Sequence, residues 1–185
     1  MSRPDPRDEL IEHLPAMRAF AISLTRNSAV ADDMVQDTVV KAWTNIDKFD
    51  LGTNMRAWLF TILRNTYYSN RRKTRREVPD VDGTITDGLA EKPAHDGHMQ
   101  LADFRRALAQ LNDEQREALL LVGASGFSYE EAARMCGVAV GTIKSRTNRA
   151  RKELASILGY DEDEKLELTD DATMSVLSSA PVSSF

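Results

Sequence analysis

Two sets of residues carry most of the chemistry available to this sequence. Phe60, Arg64, Tyr67, Arg71 and Arg75 recur at intervals of three and four, with Tyr68, Arg72 and Lys73 beside them. At 100° per residue the five share one side of a helix. Aromatic faces there could stack on unpaired bases, at about 1–3 kcal/mol per base, while the cations hold the backbone. Such a set favours single strands. The second set is Lys144, Ser145, Asn148 and Arg149, near the N-terminal half of a later helix. These are donors able to reach base edges in a duplex major groove, each good pair giving about 1–3 kcal/mol of discrimination. Arg146, Arg151 and Lys152 suit phosphates, whose contacts weaken with salt. For every aromatic the alternative is core packing, which is the reading taken for Trp58; for Tyr68 both stay open.

Charge is distributed accordingly. The 185 residues carry a formal net charge of −5, but Leu51–Arg76 holds seven Arg or Lys and no Asp or Glu. Residues 141–158 carry +4, while 77–100 carry −5 and 159–185 carry −6. Two basic blocks split by an acidic stretch suggest two anion-facing surfaces on separate bodies. For either block alone, a solvated basic face is the alternative.

Catalysis finds no support. There is no Gly-rich phosphate loop and no His-Glu-x-x-His helix. His95 and His98 flank Asp96, but polar histidines without further ligands are ordinarily solvated, so no metal and no cofactor is assigned. The single cysteine, Cys136, excludes an internal disulfide or a Cys-based zinc cluster and reads as a small buried thiol. No apolar run reaches about 18 residues and the N-terminus is polar, so a cytoplasmic protein is expected, with no membrane partner and no small-molecule substrate.

The elements that must position these residues are all helical. Few glycines, prolines and aromatics argue against a sandwich or barrel, leaving an all-α chain of two small helical domains joined by a flexible linker. The first domain spans 8–76. Its helices are expected over Asp8–Thr25, over Ala29–Ile46 capped by Asn27 or Ser28, and from Met55 to about Arg75. The second helix carries the stripe Val30, Met34, Val35, Val39, Ala42, Trp43 and Ile46. In the third, Met55, Trp58, Leu59, Ile62, Leu63 and Thr66 form the core side. Residues 77–100, with two prolines and three glycines, read as linker.

The second domain spans 101–158. Ser128-Tyr-Glu-Glu131 fits a capping box, Gly137 a tight turn, and Thr142 the start of a helix with Ile143, Ala150, Leu154 and Ile157 buried. That is a helix-turn-helix, with an ordinary helical hairpin as alternative. Residues 159–185 read as an acidic disordered tail.

Three motifs resemble a known family. Ala31-Asp-Asp-Met-Val-Gln-Asp-Thr-Val-Val-Lys-Ala-Trp43, Met55-Arg-Ala-Trp-Leu-Phe-Thr-Ile-Leu-Arg-Asn65 and Gly141-Thr-Ile-Lys-Ser-Arg-Thr-Asn-Arg-Ala-Arg151 are similar to the bacterial extracytoplasmic-function (ECF) sigma factors. Together with Arg76-Glu-Val-Pro-Asp-Val-Asp-Gly83 they look closest to the alphaproteobacterial general-stress type, EcfG. The resemblance implies that Asp32, Asp33, Gln36, Asp37 and Lys41 dock on the clamp of the RNA polymerase β′ subunit, with the β flap a further contact of the core enzyme. It implies that Asp50, Gly52, Thr53 and Asn54 capture a flipped base of the −10 element. Arg56, Arg64, Asn65, Tyr68, Arg71 and Arg72 would hold the melted strand. Lys144, Ser145, Arg146, Asn148, Arg149 and Lys152 would engage the −35 element, although Asn148 stands where many relatives carry an aromatic. A small anti-sigma protein (NepR-like) is the implied inhibitor. The rival reading is a sigma-like decoy that binds the anti-sigma protein without initiating transcription. Such decoys carry a receiver domain after the sigma-like part and need no basic recognition helix.

Overall fold

The computed structural model describes residues 6–77 and 96–159, which belong to two compact units. In the first unit, α1 (Pro6–Glu12) and α2 (Leu14–Thr25) replace the single helix expected over Asp8–Thr25. Pro15 in the first turn of α2 has no amide proton to donate, and its ring clashes with the preceding turn, so the ladder breaks at His13. Helix α2 stops at Arg26, a left-handed residue at φ 59°. Asn27 then caps α3 (Ser28–Thr44) by accepting from the Val30 amide at 3.0 Å. A short 3-10 turn (Ile46–Lys48) follows, and α4 runs from Met55 to Glu77.

The core of this unit gathers Leu10, Met17, Phe20, Leu24, Met34, Met55, Leu59, Phe60 and Leu63. Phe20 and Phe60 meet at 5.1 Å between ring centroids. On α3 the buried line is Ala31, Met34, Thr38 and Ala42, not the broader stripe expected; Val30 and Trp43 are exposed at 48 % and 52 %. The expected stripe wraps about 220° of the helix at 100° per residue. Helices α2 and α4, which pack against α3, bury only its centre.

In the second unit, α5 spans Asp96–Gln110 and so takes in the last residues read as linker. Once a helix exists, each further residue adds a hydrogen bond without a new nucleation step, and Asp96 suits the positive end of the dipole. Asn112 caps α6 (Asp113–Leu119), and the chain widens into a π turn over Leu120–Ala124. Arg116, only 3 % exposed, donates to the carbonyls of Leu108, Ala109 and Leu111 and thereby satisfies the C-terminal end of α5.

Helix α7 (Tyr129–Cys136) has the expected capping box: Ser128 Oγ accepts from the Glu131 amide at 3.1 Å, and Glu131 accepts from the Ser128 amide at 2.9 Å. Gly137, at φ 67°, ends it. Helix α8 then runs Val140–Leu158, starting two residues before Thr142. It buries Ile143, Thr147, Ala150, Leu154 and Ala155; Ile157, expected to be buried, is 37 % exposed in the last turn, just before the left-handed cap at Gly159. The residues 78–95 of the linker, His95 among them, and the tail 160–185 lie outside the described residues. No helix among the described residues is long and apolar enough to cross a membrane.

Candidate nucleic-acid interface

Helix α8 presents its polar side as the spacing predicts. Lys144, Asn148, Arg149 and Lys152 are exposed and Ser145 is half-buried. The spacing works because Ile143, Thr147, Ala150 and Leu154 recur at i, i+4, i+7 and i+11, leaving most of the opposite arc to solvent before Ala155 in the last turn. Lys144 Nζ lies 5.6 Å from the Tyr129 ring centroid, a cation–π contact that ties α8 to α7 across the turn. Arg146 is placed differently from its neighbours. Its Nη2 donates to Glu114 Oε2 at 2.5 Å, so a group read as a phosphate ligand is held by a carboxylate from α6. Arg151 is half-buried, and its Nε has no hydrogen-bond partner among the described residues.

Helix α4 divides the aromatic and basic set in two. Phe60 is fully buried and Tyr67 is 6 % exposed, so neither ring offers a face to a base. Both were expected on the stacking side. Tyr68 is half-buried, with the Arg64 guanidinium 4.7 Å from its ring centroid and Tyr67 edge-on at 5.1 Å. Arg56 lies 5.4 Å over Phe60 and Arg71 5.8 Å over Tyr67. These arginines therefore spread along the aromatic edge of the core, anchored by their planes, with Asn65, Arg71, Arg72, Lys73, Arg75 and Arg76 exposed. Trp58, read as core, packs on Phe49 with ring centroids 5.3 Å apart but stays half-buried.

The loop before α4 is short and internally bonded. Thr53 donates through both its amide and its hydroxyl to the Asp50 carbonyl, at 3.1 and 2.7 Å. Gly52 sits at φ 96°, where a side chain would be strained, and Asn54 Oδ1 caps α4 by accepting from Ala57 at 3.0 Å. Asp50, Gly52, Thr53 and Asn54 are all exposed, as is Leu51. The loop is thus a preformed exposed knuckle at the N-terminus of the basic helix.

On α3, Asp33, Gln36 and Asp37 are exposed side by side. Two residues expected to share that face have internal duties. Asp32 receives Arg18 Nε at 2.7 Å and Nη2 at 3.2 Å, which binds α3 to α2 and raises the Arg18 guanidinium above its usual range, chiefly through that hydrogen bond. Lys41 Nζ donates to Thr66 Oγ1 at 2.9 Å on α4. Sequence spacing gave no sign of Arg18, Glu114 or Arg116, because each acts on a partner set by packing. No group of three His, Cys, Asp or Glu able to hold a metal occurs among the described residues, and Cys136 is buried, its thiol 3.6 Å from Glu117 Oε2.

Comparison with known proteins fits this division of surfaces. Residues 10–77 match the family model for sigma-70 region 2, and residues 101–154 match that for sigma-70 region 4. The chain is 55 % identical over 155 residues to the ECF RNA polymerase sigma factor EcfG of Rhodopseudomonas palustris, covering 84 % of this chain and 86 % of that protein. Its fold matches the sigma factor RpoE of Bartonella quintana, solved in complex with the anti-sigma factor NepR. The TM-score is 0.75 at 55 % identity, over 83 % of this chain and 96 % of that one. A further likeness, to the PhyRSL–NepR complex from Sphingomonas sp. Fr1, has TM-score 0.62 at 23 % identity, over 80 % of this chain and 86 % of that one, and shows a shared fold alone. With both regions matched in order and a relative at this identity, the chain belongs to the ECF sigma factors, which are transcription-initiation factors and not enzymes.

Proposed function

We propose that this protein binds core RNA polymerase in the cytoplasm and directs promoter-specific initiation of general stress genes. The observation that carries the reading is the pairing of two unlike cationic helices on separate units. One, α8, leaves hydrogen-bonding donors exposed on a helix narrow enough for a major groove. The other, α4, sets guanidinium groups and Tyr68 behind an exposed loop. In this reading Lys144, Ser145, Asn148 and Arg149 contact the −35 duplex and Lys152 its phosphates. Asp50, Gly52, Thr53 and Asn54 take up a flipped −10 base, while Arg56, Arg64, Asn65, Tyr68, Arg71 and Arg72 hold the melted strand. Asp33, Gln36 and Asp37 dock on the β′ clamp, with Asp32 and Lys41 bracing the face they share, and the second unit meets the β flap.

Opening the promoter needs the polymerase. Flipping a base costs a few kcal/mol, and one stacking contact returns about 1–3 kcal/mol, so this chain alone gains little from melting DNA. A NepR-like anti-sigma protein is the proposed inhibitor, supported by the complex of the Bartonella relative. The test is run-off transcription by bacterial core polymerase on a stress-promoter template, with and without the protein. Transcripts from one start site that require the chain, and that vanish with Lys144→Glu/Arg149→Glu, are the expected result. No transcript alongside intact anti-sigma binding would instead make the chain a decoy.

A further inference from the structure

The Glu114–Arg146 pair is not explained by stability. Glu114 is 63 % exposed on α6, and an ion pair so open to water contributes little, about 0–1 kcal/mol. Its position matters more. Arg146 lies between Lys144 and Arg149 in sequence, on the flank of the polar side of α8. An open cleft of about 430 Å³ there is lined by Glu114 from α6 and by Ser145, Arg146 and Arg149 from α8. The cleft therefore brings one carboxylate against a surface that otherwise offers donors and cations.

Duplex DNA carries one negative charge per roughly 1.7 Å of axis, so a carboxylate at the edge of a duplex-reading surface repels it whatever the sequence. The same carboxylate also occupies the guanidinium best placed on that flank for a phosphate. We infer that Glu114 keeps Arg146 in reserve as a masked phosphate ligand, so that it lowers the sequence-independent affinity of the second unit for duplex DNA. Base contacts from Lys144, Asn148 and Arg149 then make up a larger share of what binding remains. Glu114 is a positioning residue that sets how tightly the second unit holds any duplex. This rests on the proposed duplex reading by α8.

The test uses the full chain bound to core polymerase and labelled −35 duplexes, one with the promoter sequence and one scrambled, titrated from 50 to 200 mM salt. Glu114→Gln keeps the shape and removes the charge. It should tighten binding to both duplexes by the same factor, several-fold at 50 mM, leave the ratio between them unchanged, and steepen the log–log salt slope by about 0.9, the value of one phosphate contact. That slope makes the advantage over the unaltered protein shrink about 3.5-fold by 200 mM. Glu114→Gln/Arg146→Gln should return the slope to its starting value. Weaker binding by Glu114→Gln would overturn the inference, since the pair would then hold Arg146 in a productive place. A gain that persists in the double variant, with the slope unchanged, would also overturn it by leaving repulsion as the whole effect. Lys144→Glu/Arg149→Glu serves as the separate arm. If that variant still binds the promoter duplex, the reading of α8 itself fails. If it loses binding while Glu114→Gln changes nothing, only the masking fails.

Discussion

The two cationic helices differ in where along their length they give a broad face to the core. Six positions of α4 are buried, Met55, Leu59, Phe60, Leu63, Thr66 and Tyr67, and they cover an arc of about 140°. On α8 the buried residues through Leu154 (Ile143, Thr147, Ala150 and Leu154) cover about 60°, and Ala155 in the last turn widens the arc to about 140°. The wider arc swallows Phe60 and Tyr67, the edge of the aromatic stripe nearest the core, and leaves Tyr68 at the boundary. The narrower line before the last turn leaves Lys144, Asn148, Arg149 and Lys152 exposed, with Ser145 half-buried. The same pattern of one residue every third or fourth position thus supports a mixed core-and-surface helix in one unit and a cleanly divided one in the other.

The sharpest way to break this comparison is Phe60→Ala. If the ring is core, the first unit should lose about 3–5 kcal/mol in denaturant unfolding, enough to lower the thermal midpoint by many degrees. If it were a stacking surface, stability would hold and only promoter opening would suffer. Arg149→Ala should do the opposite on α8. Binding of the polymerase complex to the −35 duplex should weaken by about 1–3 kcal/mol while unfolding shifts by no more than about 0.5 kcal/mol.

Tyr68 tests the boundary between these cases. Tyr68→Ala should lower the reactivity of −10 thymines to permanganate in the initiation complex, by a loss of about 1–3 kcal/mol. Tyr68→Phe, which keeps the ring, should restore it. The smallest effect is expected at Asp32. Asp32→Asn removes an exposed ion pair to Arg18 and should cost less than about 1 kcal/mol in unfolding. Asp37→Asn should leave unfolding unchanged and instead weaken capture of core polymerase.

Much of the second unit was legible in sequence because its signals are local. Ser128 and Glu131 bond each other's backbone within one turn, Gly137 takes the left-handed conformation, and the polar side of α8 follows from its own period. The first unit was less legible. Pro15 splits what reads as one helix, and Trp43 and Val30 on α3 stay exposed at the edges of the expected stripe, Trp43 under the Arg7 guanidinium of α1 at 5.1 Å.

The sequence by itself determined that the chain is helical, where most helices begin and end, and which two of them are basic. Those properties depend on hydrogen bonds and charges within a few residues of one another. Only the tertiary structure decided that Phe60 and Tyr67 belong to the core, that Arg116 closes the end of α5, and that Arg146 answers to Glu114, 32 positions away. Burial and long-range pairing depend on which surfaces meet. A helix's own period sets the direction of each side chain but not what lies opposite it.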